Sequence, residues 1–225
     1  MNRGFMIAGA LAAAAVAAIV AVRACAAVPA GESYQWESGV NYQVLGRPQT
    51  TGVPKGKVEV AEVFWYGCGH CYALDPALES WEQKKPKFIE FVRIPVIWGQ
   101  THAQHARLYY TMLALHRADL HTKIFDTIHK EGNMLAAETD EQARALHLAF
   151  FRKFGVSEAQ FNAAYDSAGV AQNVERAQSL TGRYEVASVP TLIVNGTYST
   201  SVSQAGDETR LLALINDLAA REKGR

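Results

Sequence analysis

From Phe5 to Val22 the chain is apolar without a charge, "FMIAGALAAAAVAAIVAV", and beyond it apolar residues recur in short patterned runs divided by turn-forming stretches. The contrast separates a leader from a folded body. Ala24-Cys25-Ala26 puts small residues in an A-x-A pattern behind the apolar run, so residues 1–26 are expected to be a signal peptide removed near Ala26. The run also approaches the roughly 18 residues of a spanning helix, which leaves an uncleaved anchor as an alternative. Lipidation of Cys25 is a second one, although Arg23 suits it badly. Residues 27–41 mix Pro, Gly, Ser and polar side chains and read as a tether.

The body opens with a short strand over Tyr42–Leu45, a turn-rich passage, and a β-branched and aromatic strand over Val58–Trp65. Helical composition follows over Cys71–Lys85, with Pro76 inside, and then a strand over Phe88–Ile97. Strand, helix and strand in this order make a βαβ unit. From Thr101 to Thr181 the spacing turns helical, with Ala106, Tyr109, Tyr110 and Leu113 on one stripe and Leu120, Ile124, Phe125 and Ile128 on another. Thr139-x-x-Gln142 and Ser157-x-x-Gln160 are capping-box starts, while Gly132 and Gly155 are stops, giving four or five helices. Strands Thr191–Val194 and Thr197–Thr200 flank Asn195-Gly196, a hairpin turn. Asp207 caps a last helix whose apolar positions are Leu211, Leu212, Ile215 and Leu218. The helical block, 101–181, reads as an insertion between 42–100 and 182–225, because the strands on either side need each other to complete a sheet.

With 225 residues, about half hydrophobic, the chain can bury a real core. Its 22 basic and 22 acidic residues cancel, so nothing draws it in bulk to nucleic acid or an anionic membrane. It has three cysteines, and cleavage near Ala26 would leave Cys68 and Cys71 alone. One pair in so long a chain is not the framework of a disulfide-stapled miniprotein.

Those two stand in "WYGCGHC" at the end of a predicted strand. Zinc needs about four ligands, and no second C-x-x-C exists; the histidines at 102, 105, 116, 121, 129 and 147 read as solvated or locally hydrogen-bonded helix residues. No metal site is expected. Haem attachment fails because residue 72 is Tyr. A loop this short would stabilise little as a staple. Thiol–disulfide exchange remains. Cys68 falls where strand passes into helix, so its sulfur faces unpaired amides and the positive end of the helix dipole, which lowers a thiol pKa. His70 can add to this. A stabilised thiolate favours the reduced form and makes the disulfide an oxidant, with Cys68 the exposed nucleophile and Cys71 the buried resolving thiol.

The run "EVFWYGCGHCYALDP", the later Val189-Pro190 and the helical insertion together resemble the DsbA-like branch of the thioredoxin superfamily, over residues 42 to 222 or so. The resemblance implies an α/β thioredoxin fold, a central mixed sheet flanked by helices, carrying an inserted all-helical domain. It implies that Pro190 is a cis-proline facing the cysteines, whereas the residues alone would read an X-Pro turn as trans. Val189 before it, with Gly69, is expected to lie where substrate binds. Glu62 matches a buried acid that moves protons to or from Cys71; the plainer alternative is a strand residue reaching solvent at an edge. Gly69 departs from the frequent C-P-H-C pattern and makes C-G-H-C, the motif typical of eukaryotic disulfide isomerases.

The resemblance further implies a monomeric periplasmic dithiol oxidase whose only redox group is its own Cys68–Cys71 disulfide, without a separate cofactor. Its partners would be reduced exported proteins and a membrane quinone-linked reoxidant of DsbB type. An isomerase or reductase with the same motif is the nearest rival, and a non-enzymatic binding or chaperone module a further one. Trp65, Tyr66 and Trp98 read either as a peptide groove or as core, with core the preferred reading for Trp65.

Overall fold

The computed structural model describes Met1 and residues 34–224. Residues 2–33, which hold the rest of the leader with Cys25 and residues 27–33 of the tether, lie outside them. Residues 34–41 lie against the carboxy-terminal helices: Trp36 Nε1 donates to Asp217 at 2.7 Å, and Arg210 sits over the rings of Tyr34 and Trp36.

Five strands form one sheet in the order β1 (Gln43–Val44), β5 (Tyr198–Thr200), β4 (Thr191–Val194), β2 (Val58–Phe64), β3 (Ile89–Pro95). β2 and β3 are parallel and joined by α1 (Gly69–Glu82), the expected βαβ unit; the other neighbours are antiparallel. Every residue of β2 is buried because helices cover both sheet faces. Strand alternation sends Val58 and Val60 toward α1 and α8 (Glu208–Lys223), and Ala61 and Val63 toward α6 (Ala168–Arg183).

The helical stretch comprises α2 (Gln100–Ala114), a 3-10 turn (Ala118–Leu120), α3 (His121–His129), α4 (Asp140–Lys153), α5 (Glu158–Tyr165) and α6. Both capping boxes form, and Gly132 and Gly155 take positive φ where helices stop. The α2 stripe is shifted from expectation: Leu108 and Met112 are buried with Tyr109, whereas Leu113 is exposed. Phe64 and Tyr66 from the end of β2 enter the core of this helical region beside Phe125, Phe150 and Phe151. Asn195 and Gly196 turn the β4–β5 hairpin at φ 50° and 61°, and a Cβ on Gly196 would collide with the carbonyl of Gln49. A short helix, α7 (Val202–Ala205), was not expected.

Candidate active site

β2 ends at Phe64, and four residues later Cys68 is the N-cap of α1, with extended backbone at φ −87° and ψ 115°. The helix begins two residues earlier than its composition suggested, which puts Gly69 at N1 and His70 in the first turn. Cys68 Sγ accepts from the Cys71 amide at 3.4 Å, a sulfur filling the place of a capping oxygen. Cys68 is partly exposed and Cys71 fully buried; both are free thiols.

The two sulfurs differ sharply in acidity. The Cys71 thiol hydrogen-bonds Cys68, and the amides of Cys71 and His70 with the His70 charge assist, so the Cys68 pKa is lowered to about 6 although burial opposes it. Burial drives the Cys71 thiol far above its ordinary range, and its bond to Cys68 and the nearby Glu62 add to the rise. Cys68 is therefore a thiolate and Cys71 a thiol near neutral pH.

Opposite the pair, the Val189–Pro190 bond is cis, as the resemblance implied and the residues alone did not. Cys68 Sγ lies 3.4 Å from the Val189 carbonyl oxygen, which brings a turn 121 residues away against the sulfur. Gly69 is exposed, and a Cβ there would meet nothing. Gly67 is different: a side chain would collide with the indole of Trp65. Trp65 is half-buried and stacks on His102 at 4.4 Å, and Trp98 is exposed beyond that histidine.

Glu62 is buried in the sheet centre, not at an edge. Burial pushes its pKa up to about 7 against the pull of Arg93, with Asp75 and Cys68 contributing to the rise. Arg93 is its register partner on parallel β3 and bonds Glu62 at 3.1 Å, Asp75 at 3.2 Å and Glu79 at 2.7 Å. Asp75 in turn accepts from Thr122 at 3.0 Å and lies 3.4 Å from His121 Nε2. A chain of charges thus runs from beneath the cysteines across β2, β3 and α1 into α3.

The Thioredoxin family model matches residues 46–217. The thiol:disulfide interchange protein DsbA of Pseudomonas aeruginosa is 34% identical over 195 residues, 86% of this chain and 89% of that protein. The corresponding protein of Burkholderia cepacia is 39% identical over 164 residues, 72% of this chain and 74% of its own length. The chain belongs to the DsbA family of the thioredoxin superfamily. Its fold matches the crystal structure of Pseudomonas aeruginosa DsbA at a TM-score of 0.75, covering 84% of this chain and 95% of that one at 34% identity.

Within this family frame, the fold brings together Cys68, Cys71, Val189 and Glu62 with the amide of His70, while the His70 side chain is exposed. Sequence reasoning missed Arg93 and Asp75, and it left Tyr66 open between groove and core, where the structure makes it core. Arg93 becomes visible only with the register of β3 against β2, which sets it beside Glu62. The histidine reading holds in part: His105, His121 and His147 are hydrogen-bonded but buried, and their partners, Met134 O, Tyr66 Oη and Leu135 O, each at 2.8 Å, are distant in sequence rather than local. Their helical stripes carried no sign of this, because the partners lie in loops and on another element.

Proposed function

We propose that the chain introduces disulfides into exported proteins by dithiol–disulfide exchange, with Cys68 as nucleophile and Cys71 as resolving thiol. The observation that carries this is the split acidity of the pair, Cys68 at about 6 and Cys71 far above. In the oxidised enzyme a substrate thiolate attacks Cys68 Sγ. The Cys68–Cys71 bond breaks, Cys71 leaves as a thiolate and takes up a proton, and a mixed disulfide joins Cys68 to the substrate. The second substrate thiolate attacks its own partner sulfur and releases Cys68 as the stabilised thiolate. Two electrons pass to the enzyme and the substrate gains one disulfide.

Glu62, with a pKa of about 7, is suited to supply and remove the Cys71 proton. Val189 and Pro190 would line the place where an extended substrate segment docks beside Cys68, with Gly69 at its rim. The redox group is the cysteine pair itself. Reduced exported proteins are the substrates, and a quinone-linked membrane protein of DsbB type would reoxidise the pair. The work belongs to the periplasm in this reading, which the relatives' family and the expected leader support; no helix among the described residues is long and apolar enough to cross a membrane. The partition into 42–100, 101–181 and 182–225 follows the same reading.

Equilibration against glutathione tests the direction. An oxidase holds its pair reduced at glutathione ratios that leave thioredoxin oxidised, and Cys68→Ser abolishes oxidation of a model peptide dithiol. A potential near that of thioredoxin would make the protein a reductase instead.

A further inference from the structure

Tyr66, two residues before Cys68, is fully buried and is held at both ends by one helix of the insertion. Its hydroxyl lies 2.8 Å from His121 Nδ1 and its carbonyl oxygen 2.8 Å from His129 Nε2. The chemistry fixes the protons. A carbonyl only accepts, so His129 Nε2 carries hydrogen and donates. His121 Nε2 faces the Asp75 carboxylate, so in the neutral ring it bears the hydrogen and Nδ1 accepts from the tyrosine hydroxyl.

The same helix also grips the other side of the pair. Tyr72, directly after Cys71, stacks flat on His129 with 4.7 Å between centroids and 3° between planes, and its hydroxyl donates to Asp126 at 2.8 Å. Its amide donates to the Cys68 carbonyl at 3.1 Å, while the Cys68 amide donates to Trp65 O at 3.0 Å. The turn that aims the sulfur at the amides of His70 and Cys71 is therefore bracketed by two tyrosines, each fastened to α3.

We propose that Tyr66, His121 and His129 are positioning residues for the redox centre, through which α3 holds the Cys68 turn in the geometry that stabilises its thiolate. The inference rests on Cys68 being the reactive sulfur. Releasing the Tyr66 carbonyl frees the segment leading into the N-cap, and with it the aim of the sulfur at the Cys71 amide, now 3.4 Å away. The thiolate then loses stabilisation, and the disulfide becomes a weaker oxidant. If α3 merely packed there, its loss would lower stability and leave the acidity of Cys68 unchanged.

The experiment follows thiolate absorbance of the reduced full chain across pH and its equilibrium with glutathione, for wild type, His129→Leu, His129→Gln and Tyr66→Phe. In His129→Leu the Cys68 titration moves to higher pH and the oxidising equilibrium constant falls at least about threefold, since a tenfold change corresponds to one pKa unit. His129→Gln retains an N–H donor and recovers most of the loss. Tyr66→Phe frees only the hydroxyl end and shifts both readouts less, in the same direction. Unchanged titration and equilibrium in folded His129→Leu overturn the proposal. Should that variant not fold, Tyr66→Phe decides, and an unshifted titration there overturns it. Wild type that fails to exchange with glutathione would sink the function reading itself, which the variants do not address.

Discussion

At the scale of single residues, the acidity of Cys68 has a consequence for stability as well as reactivity. Its pKa in the folded reduced chain is about 6, below the ordinary thiol value it regains on unfolding. A depressed pKa means that the unfolded chain binds more protons, so the stabilisation is present at alkaline pH and is lost as pH falls through about 6. The oxidised chain has no such thiol. Denaturant unfolding of both forms should show the reduced form gaining stability over the oxidised one between pH 6 and 8, with the gain absent below pH 5; a gap that does not vary with pH contradicts the thiolate. Gly69 makes a second residue-level test. It occupies N1 of α1, where proline is favoured, and the amides that serve the sulfur belong to His70 and Cys71, so no needed donor is lost. Gly69→Pro should raise stability by about 0.4–1 kcal/mol, through a less flexible unfolded chain, and this can be read from the urea midpoint.

At the scale of elements, the loop between α3 and α4 is strapped down by neutral histidines. His105 and His147 hold the carbonyls of Met134 and Leu135, and Gln104 bonds both the amide and the carbonyl of Ala137 at 3.0 Å. Burial lowers the pKa of His105 to about 4 and of His147 to about 3. Folded values below the unfolded one give stability that is complete above about pH 6.5 and is lost as pH falls toward 4 and 3. Each ring should cost on the order of 2 kcal/mol by pH 5. His147→Gln keeps a donor without a titration, so its acid-unfolding curve should be flatter between pH 6.5 and 4 than that of the wild type. The elements themselves were largely legible, because periodicity and caps are local: β2, both capping boxes and the Asn195-Gly196 turn fall where pattern put them. What was not legible depends on burial in three dimensions. Leu113 has the same local pattern as a core residue yet faces solvent, and nothing near His105 in sequence reveals a carbonyl 29 residues away.

At the scale of the whole molecule, the acids beneath the cysteines are neutralised largely by one guanidinium. Arg93 bonds Glu62 of β2 and Asp75 and Glu79 of α1, and Asp75 passes the connection to His121 and Thr122 of α3. The sequence exposed one member, Glu62, through family resemblance; the rest needed the register of β2 against β3 and the approach of α3. Replacing Arg93 with Met preserves length but removes the charge. Glu62 is only 2% exposed and would lose its ion-pair partner in the interior, at a cost of about 3–5 kcal/mol where it is ionised, while Asp75 keeps Thr122 and His121. The sign of the pH dependence follows. Without the guanidinium the folded pKa values of these acids rise, and raised values give stability that is present at low pH and lost as pH increases. The deficit of Arg93→Met against wild type should therefore be small near pH 4.5, where Glu62 is protonated with or without the guanidinium, and largest near pH 8. The variant should also carry Glu62 protonated to higher pH, which moves upward the alkaline limb of the pH–rate profile for forming the mixed disulfide, the step in which Cys71 takes up a proton. Equal deficits at pH 4.5 and 8 would mean that Arg93 contributes through packing of its stem rather than through the charges it bridges.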